Sequence, residues 1–217
     1  MIYRWVGEKM LDCPDVQVLG QVGFLDPPLV EDGSRKSDRE VGRIDNILFV
    51  PASRPFSWCA LEIQSVYFQG EAMSNEFVLL RDQVGDVLPF PAKSHRPDYR
   101  SSGPKRLMAQ LLVKVPTLRR WGKKMAVLVD RGFFAAMGNM RPVSHISNCD
   151  VAWFVVGYEK TETGSFKLAP SDLYLTTLED SVEGLTAGVP ASLDVFEQRI
   201  LNKLQGPSRP RKITSDE

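Results

Sequence analysis

Glu62 and Gln64 stand two residues apart in the run WCALEIQSVYF (58–68), and Asp45 lies seventeen residues ahead of Glu62 in VGRIDNILFV (41–50). Side chains alternate between the faces of a strand, so Glu62 and Gln64 share one face while Cys59, Leu61 and Ile63 point the other way, into a core. A carboxylate on an otherwise apolar strand needs compensation, because burying it alone is costly. If Asp45 folds back beside Glu62, the two acids repel and one pKa rises. A bound Mg²⁺ reverses that and keeps both ionised. Magnesium takes one or two carboxylates, several waters and phosphate oxygens. The chemistry this predicts is metal-assisted hydrolysis of a phosphodiester, in which the metal polarises a phosphoryl oxygen and acidifies a bound water. Asp45 and Glu62 are the candidate metal ligands, with the main-chain carbonyl of Ile63, and Gln64 is the third candidate catalytic residue. Its amide can hydrogen-bond the water but brings no positive charge. A second metal, or a nearby lysine or arginine, could take that part.

As a bare pattern, an Asp followed by a Glu-x-Gln pair is a weak signal. Its structural alternative is an Asp in a turn and two polar residues on a solvated strand face. What strengthens the catalytic reading is placement. Residues 41–50 and 58–68 both read as strands, and PASRPFS between them reads as a turn, since Pro51 and Pro55 cannot donate to a ladder. The two strands are expected to pair as an antiparallel hairpin. Residues 71–80 fit a short helix, and 85–104 a loop. A helix begins near Ser102 or Gly103, with Pro104 in its first turn. Leu107, Leu111, Val115 and Leu118 form its apolar stripe, and Pro116 is expected to kink or divide it. MAVLVD (125–130) and VAWFVVGY (151–158) suit strands buried on both faces. Residues 192–204 read as a closing amphipathic helix carrying Val195, Phe196, Ile200, Leu201 and Leu204. The polar stretch 26–40 reads as a loop or short irregular helix. The fold class expected is α/β, a mixed central sheet flanked by helices. It would occupy 41–206, after an N-terminal extension (1–40) and before a flexible basic tail (207–217).

The chain has 217 residues, 43% hydrophobic and 25% charged, within the range of one globular domain. No apolar run approaches the roughly 18 residues needed to span a bilayer, and the first residues lack a secretory signal pattern. A cytoplasmic location is the expectation. Cys13, Cys59 and Cys149 are far apart and show no CxxC spacing, so buried reduced thiols are expected rather than disulfides or a cysteine metal site. His95 and His145, the only histidines, are expected at the surface.

Net charge is formally zero, so any affinity for nucleic acid must come from clustering. Basic residues do crowd between Lys93 and Lys124, where Asp98 is the only acid. Arg96, Arg100, Lys105, Arg106, Lys114, Arg119, Arg120, Lys123 and Lys124 are candidates for phosphate contacts, against the alternative of a solvated helix face. Arg96, Arg100, Lys105 and Arg106 are favoured. They surround a Ser/Gly/Pro helix start, where main-chain N–H groups also hold phosphate. Arg141 lies in a polar loop with Asn139, Ser144 and His145, and is a candidate for reading a guanine edge.

The stretches GRIDN (42–46), WCALEIQSVYFQGEAM (58–73) and RPDYRSSGPKRLMAQLLVKVPTLRRWGKKMAVLVDRGFF (96–134) resemble the NotI family of type II restriction endonucleases. The resemblance places the family's active-site acid on Asp45 and its Glu-x-Gln pair on Glu62 and Gln64. It implies a PD-(D/E)XK core, Mg²⁺ as cofactor, cleavage of double-stranded DNA, and a homodimer cutting a palindromic, GC-rich site. In the wider PD-(D/E)XK class the position of Gln64 usually carries a lysine. The family's best-known member also holds a structural iron on cysteines upstream of the core. Here only Cys13 precedes the motif, as in a short or N-terminally truncated relative. Two other readings stand beside the nuclease: a catalytically inactive DNA-binding relative, and a structural α/β domain with no nucleic-acid role.

Overall fold

In the computed structural model the elements follow in the order α1 (Ile2–Leu11), β1 (Gln17–Leu25), β2 (Val41–Phe49), β3 (Trp58–Gln64), β4 (Tyr67–Gln69), α2 (Ser74–Arg81) and β5 (Arg96–Asp98). A π-helical turn (Ser101–Leu107) then runs into α3 (Met108–Arg120). After it come β6 (Met125–Asp130), α4 (Arg131–Ala135), β7 (Val151–Lys160), β8 (Phe166–Thr176), α5 (Leu178–Thr186) and α6 (Leu193–Gln205). The structure describes residues 1–26, 41–69, 74–82, 95–99, 101–186, 188 and 191–205. The chain forms two compact units, Met1–Ala187 and Gly188–Glu217.

One sheet of six strands, in the order β1-β2-β3-β6-β7-β8, organises the first unit. β2 is antiparallel to both β1 and β3, as the Pro-marked turn predicts. β3, β6 and β7 are parallel, and β8 returns antiparallel to β7. The parallel centre explains the apolar runs. Met125 to Val129 and Val151 to Val156 are all buried, because helices cover both faces of such strands. The mixed α/β architecture expected from the sequence is therefore present. The residues ahead of position 41 add to it, since β1 is an edge strand of the same sheet.

Each face has its own core. On one, Leu107, Leu111, Val115 and Leu118 of the predicted stripe pack with Ala60, Val127, Phe133, Trp153 and Leu185. On the other, Val6 of α1 covers Leu48, Cys59, Leu61, Ala126 and Phe154, and Trp5 meets Phe154 edge-on at 4.8 Å. α5 starts with a reciprocal cap: Asp180 N–H donates to Thr177 Oγ1 at 3.1 Å, and that hydroxyl donates to Asp180 Oδ2 at 2.7 Å.

Several expectations need correction. Pro116 does not divide its helix, because α3 runs through it to Arg120. The hydrogen bond it forfeits would reach the carbonyl of Leu112, on the half-exposed side of the helix. The run 58–68 is broken at Ser65–Val66 into β3 and β4. Ile63 points away from Glu62 as alternation requires, yet its side chain is exposed rather than in the core. Cys59 and Cys149 are buried free thiols, whereas Cys13 is partly exposed. His145 is at the surface, but His95 has its side chain buried against Glu76, Nε2 to Oε1 3.2 Å. α6 forms as expected, with Val195, Phe196, Ile200, Leu201 and Leu204 exposed. The loop reading of 26–40, most of that of 85–104, and the tail 207–217 lie outside the described residues.

Candidate active site

The hairpin register determines which acids meet. Asn46 is opposite Leu61, and Ile47 is opposite Ala60. One step further along the same register sets Asp45 across from Glu62. Opposed residues of an antiparallel pair share a face. Here it is the face covered by α3, as Ile47 and Ala60 in that core show.

The two acids occupy different depths. Glu62 is only 1% exposed, at the floor of the site. Asp45 has a side chain 47% exposed, at its mouth. Both carboxylates face one ammonium. From above, Lys114 of α3 brings its Nζ to 2.6 Å from Glu62 Oε2 and 3.9 Å from Asp45 Oδ1. The same ammonium donates to Gln110 Oε1, one helical turn back, at 2.6 Å. Burial pushes the Glu62 carboxyl up to about 7, and the neighbouring Asp45 adds to the rise while Lys114 opposes it. A buried acid beside another acid binds its proton tightly unless a cation takes the proton's place.

Gln64 lies on the same face by alternation and is partly buried. Its Nε2 donates to the main-chain oxygen of Ser65 at 2.7 Å. Because the Ile63 side chain belongs to the opposite face, only its main-chain carbonyl can join the acids. Among the described residues no group of three or more His, Cys, Asp or Glu side chains comes together. The donor set is therefore two hard carboxylates and main-chain oxygen. That fits Mg²⁺, which fills its remaining positions with water and phosphate. It does not fit a nitrogen- and sulfur-rich zinc site.

The basic residues separate into two groups. Arg96 on β5, Lys105 and Arg106 are exposed. The Arg106 guanidinium lies 4.3 Å above the ring of Tyr67, just past Gln64. Ser102 ties this region together, accepting from Tyr67 N–H at 2.6 Å and donating to Asp98 O at 2.8 Å. Arg100 lies outside the described residues. The other group serves the fold. Arg119 grips both oxygens of Asp150, at 2.6 and 3.0 Å. Lys124 donates to the carbonyls of Ser147 and Cys149. Lys114 faces the acids and not solvent. Arg141, with a side chain 83% exposed, pairs with Asp180 at 2.8 Å.

Sequence reasoning placed Lys114 among the surface cations and so missed it. The signal was there in its position: residues 111, 114, 115 and 118 follow the i, i+3, i+4, i+7 spacing of a buried helix face, and a lysine occupies the second place.

These features describe a mixed α/β domain with a two-acid, one-lysine site at the antiparallel flank of its parallel core. The family model of the restriction endonuclease NotI matches residues 1–168, most of the chain, and the chain belongs to that family. The family is one of restriction endonucleases, nucleases that act on DNA. The match extends beyond the 42–134 stretch that carries the sequence resemblance, and takes in α1 and β1. No curated protein matches the chain. Among the described residues no helix is long and apolar enough to cross a membrane.

Proposed function

We propose that this chain is a type II restriction endonuclease with a PD-(D/E)XK core, hydrolysing phosphodiester bonds at a specific site in double-stranded DNA. Mg²⁺ would be held by Asp45, Glu62 and the main-chain carbonyl of Ile63. The observation that carries this reading is the meeting of Asp45 and Glu62 on paired strands, one acid at the mouth and one at the floor. When bound, the metal supplies Lewis-acid polarisation of the phosphoryl oxygen and a more acidic water.

The chain's own groups do the rest. Asp45 is accessible to an incoming phosphate. Glu62 is fixed from behind by the apolar core and from above by α3. Gln64 offers an amide to the water on the same face. In the hydrolysis a P–O bond forms to the water oxygen as the bond to the leaving sugar oxygen breaks. One water proton is lost to solvent, and the leaving oxygen gains one. Arg96, Arg100, Lys105 and Arg106 would bind the backbone electrostatically, and Arg141 would lie against a base edge if its pairing with Asp180 opened. With one such site among the described residues and two strands to cut, a homodimer is the assembly that fits, its two-fold symmetry matching a palindrome.

Incubating the purified protein with plasmid DNA, with Mg²⁺ or with a chelator, tests the proposal. Discrete fragments that require Mg²⁺ are the expected result. Salt-dependent binding without cleavage, with Mg²⁺ or Mn²⁺, would overturn the catalytic part and leave an inactive DNA-binding relative. Failure to bind DNA at any salt concentration would leave a structural domain.

A further inference from the structure

On α3 the usual order of burial is inverted at one point. Leu112 and Val113 are about half exposed, while Lys114 next to them is 5% exposed. A helix that only had to cover the sheet would place an aliphatic residue at 114, between Leu111 and Val115 on the buried face. Burying an ammonium is unfavourable unless its charge and its hydrogen bonds are met. Here the acids of the site meet them, Glu62 Oε2 at 2.6 Å from Nζ and Asp45 Oδ1 at 3.9 Å, together with the amide oxygen of Gln110 at 2.6 Å.

We propose that Lys114 is a positioning residue for the hydrolytic water, delivering from α3 the positive charge that Gln64 cannot deliver from β3. The inference rests on the nuclease reading and deepens it. A water held between Asp45 and Glu62 would lie near the Lys114 ammonium, which sits 2.6 Å from Glu62 and 3.9 Å from Asp45 and could hold the water oxygen toward phosphorus and offset the charge that builds there. Gln110 has a separate part. It accepts from Nζ and keeps the lysine from collapsing wholly onto Glu62, which leaves the remaining Glu62 oxygen for the cation.

The test uses four forms of the full chain: wild type, Lys114→Met, Gln64→Lys, and the double variant Gln64→Lys/Lys114→Met. Each is measured for cleavage rate, for DNA affinity, for Mg²⁺ affinity by calorimetry without DNA, and for melting temperature. Lys114→Met is expected to lower kcat by about 100-fold, the scale of losing one preorganised donor, with KM for DNA almost unchanged. Its Mg²⁺ affinity is expected to stay or rise, because the ammonium no longer competes for Glu62. In the double variant a lysine returns from β3, and a large part of the lost rate is expected to return with it. A purely structural Lys114 would give no such rescue. The inference is overturned if Lys114→Met cuts at the wild-type rate, or if the double variant folds and is as slow as Lys114→Met. Should Lys114→Met not fold, the double variant decides, because it gives Glu62 its cation back and must both fold and cut. A wild type that cuts, an inert Asp45→Ala and an unimpaired Lys114→Met would sink the lysine inference alone. A wild type that neither binds Mg²⁺ nor cuts would sink the nuclease reading and this inference with it.

Discussion

Lys114 and Glu62 are 52 positions apart in the chain and meet at 2.6 Å beneath α3. The contact joins the parallel half of the fold to its antiparallel half. β3 carries Glu62 between its antiparallel partner β2 and its parallel partner β6, and α3 belongs to the crossover from β3 to β6. The acid is thus seated where the two halves meet. The helix that closes the crossover brings a buried cation, Lys114, into contact with it.

The different depths of the two acids separate their mutants. Asp45→Ala is expected to abolish cleavage and to change stability by no more than about 0.5 kcal/mol, as for most half-exposed positions. Glu62→Ala is also expected to abolish cleavage. It leaves the Lys114 ammonium buried without its partner, a change that costs about 3–5 kcal/mol. Both variants are expected to keep DNA binding. Denaturant melts together with plasmid cleavage check the pair, and full cleavage by either would remove that acid from the site.

Gln64→Lys is expected to keep all or part of the wild-type activity. The position lies on the catalytic face, and lysine is usual there in the wider PD-(D/E)XK class. Gln64 is only partly buried, so the fold should accept the longer, charged side chain. An inactive but folded variant, with its melting temperature unchanged, would show that the Gln64 amide has a duty that charge cannot replace.

Much of this was legible from residue order alone. Alternation in WCALEIQ put Glu62 and Gln64 on one face, and the Pro-marked turn brought Asp45 back toward them. The 4-4-3 spacing from Leu107 to Leu118 identified the helix above. β1 and β8 were not read. GQVGF breaks its alternation with glycines, and β8 mixes exposed charges with a proline at Pro170, so neither gives a clean period of two. The role of Lys114 went unread for another reason. A lysine is ordinarily solvated, and only the three-dimensional placement of Glu62 shows what holds this one inside.

The cap of α5 predicts an acid-sensitive element. The Thr177 hydroxyl holds the Asp180 carboxyl below the ordinary aspartate range; burial opposes it, and the Arg141 guanidinium adds to the lowering. A lowered folded pKa means that the stabilisation is present above the unfolded value, about pH 4, and is lost as pH falls through the folded one. Thr177→Val removes the capping hydroxyl as well and is expected to cost about 1 kcal/mol at neutral pH. Thermal melts from pH 6 down to pH 3 should show the difference between Thr177→Val and wild type shrinking toward acid. A difference that stays constant or grows would contradict the sign.

The division of the basic residues predicts where salt should matter. Arg96, Lys105 and Arg106 are exposed, and each phosphate they neutralised would release counterions. Replacing any one by Ala is expected to weaken DNA binding to all sequences alike and to flatten the slope of log K against log salt by about 0.9 per lost phosphate contact. Arg119→Ala should act differently. Its guanidinium is held by Asp150 and Glu179, so the variant is expected to lose stability and keep the wild-type salt slope. Binding isotherms at several salt concentrations, run beside melting curves, separate the two behaviours. An unchanged slope in all three surface variants would move the DNA path away from the π-helical turn. A flattened slope in Arg119→Ala would mean that its ion pairs open to receive the backbone.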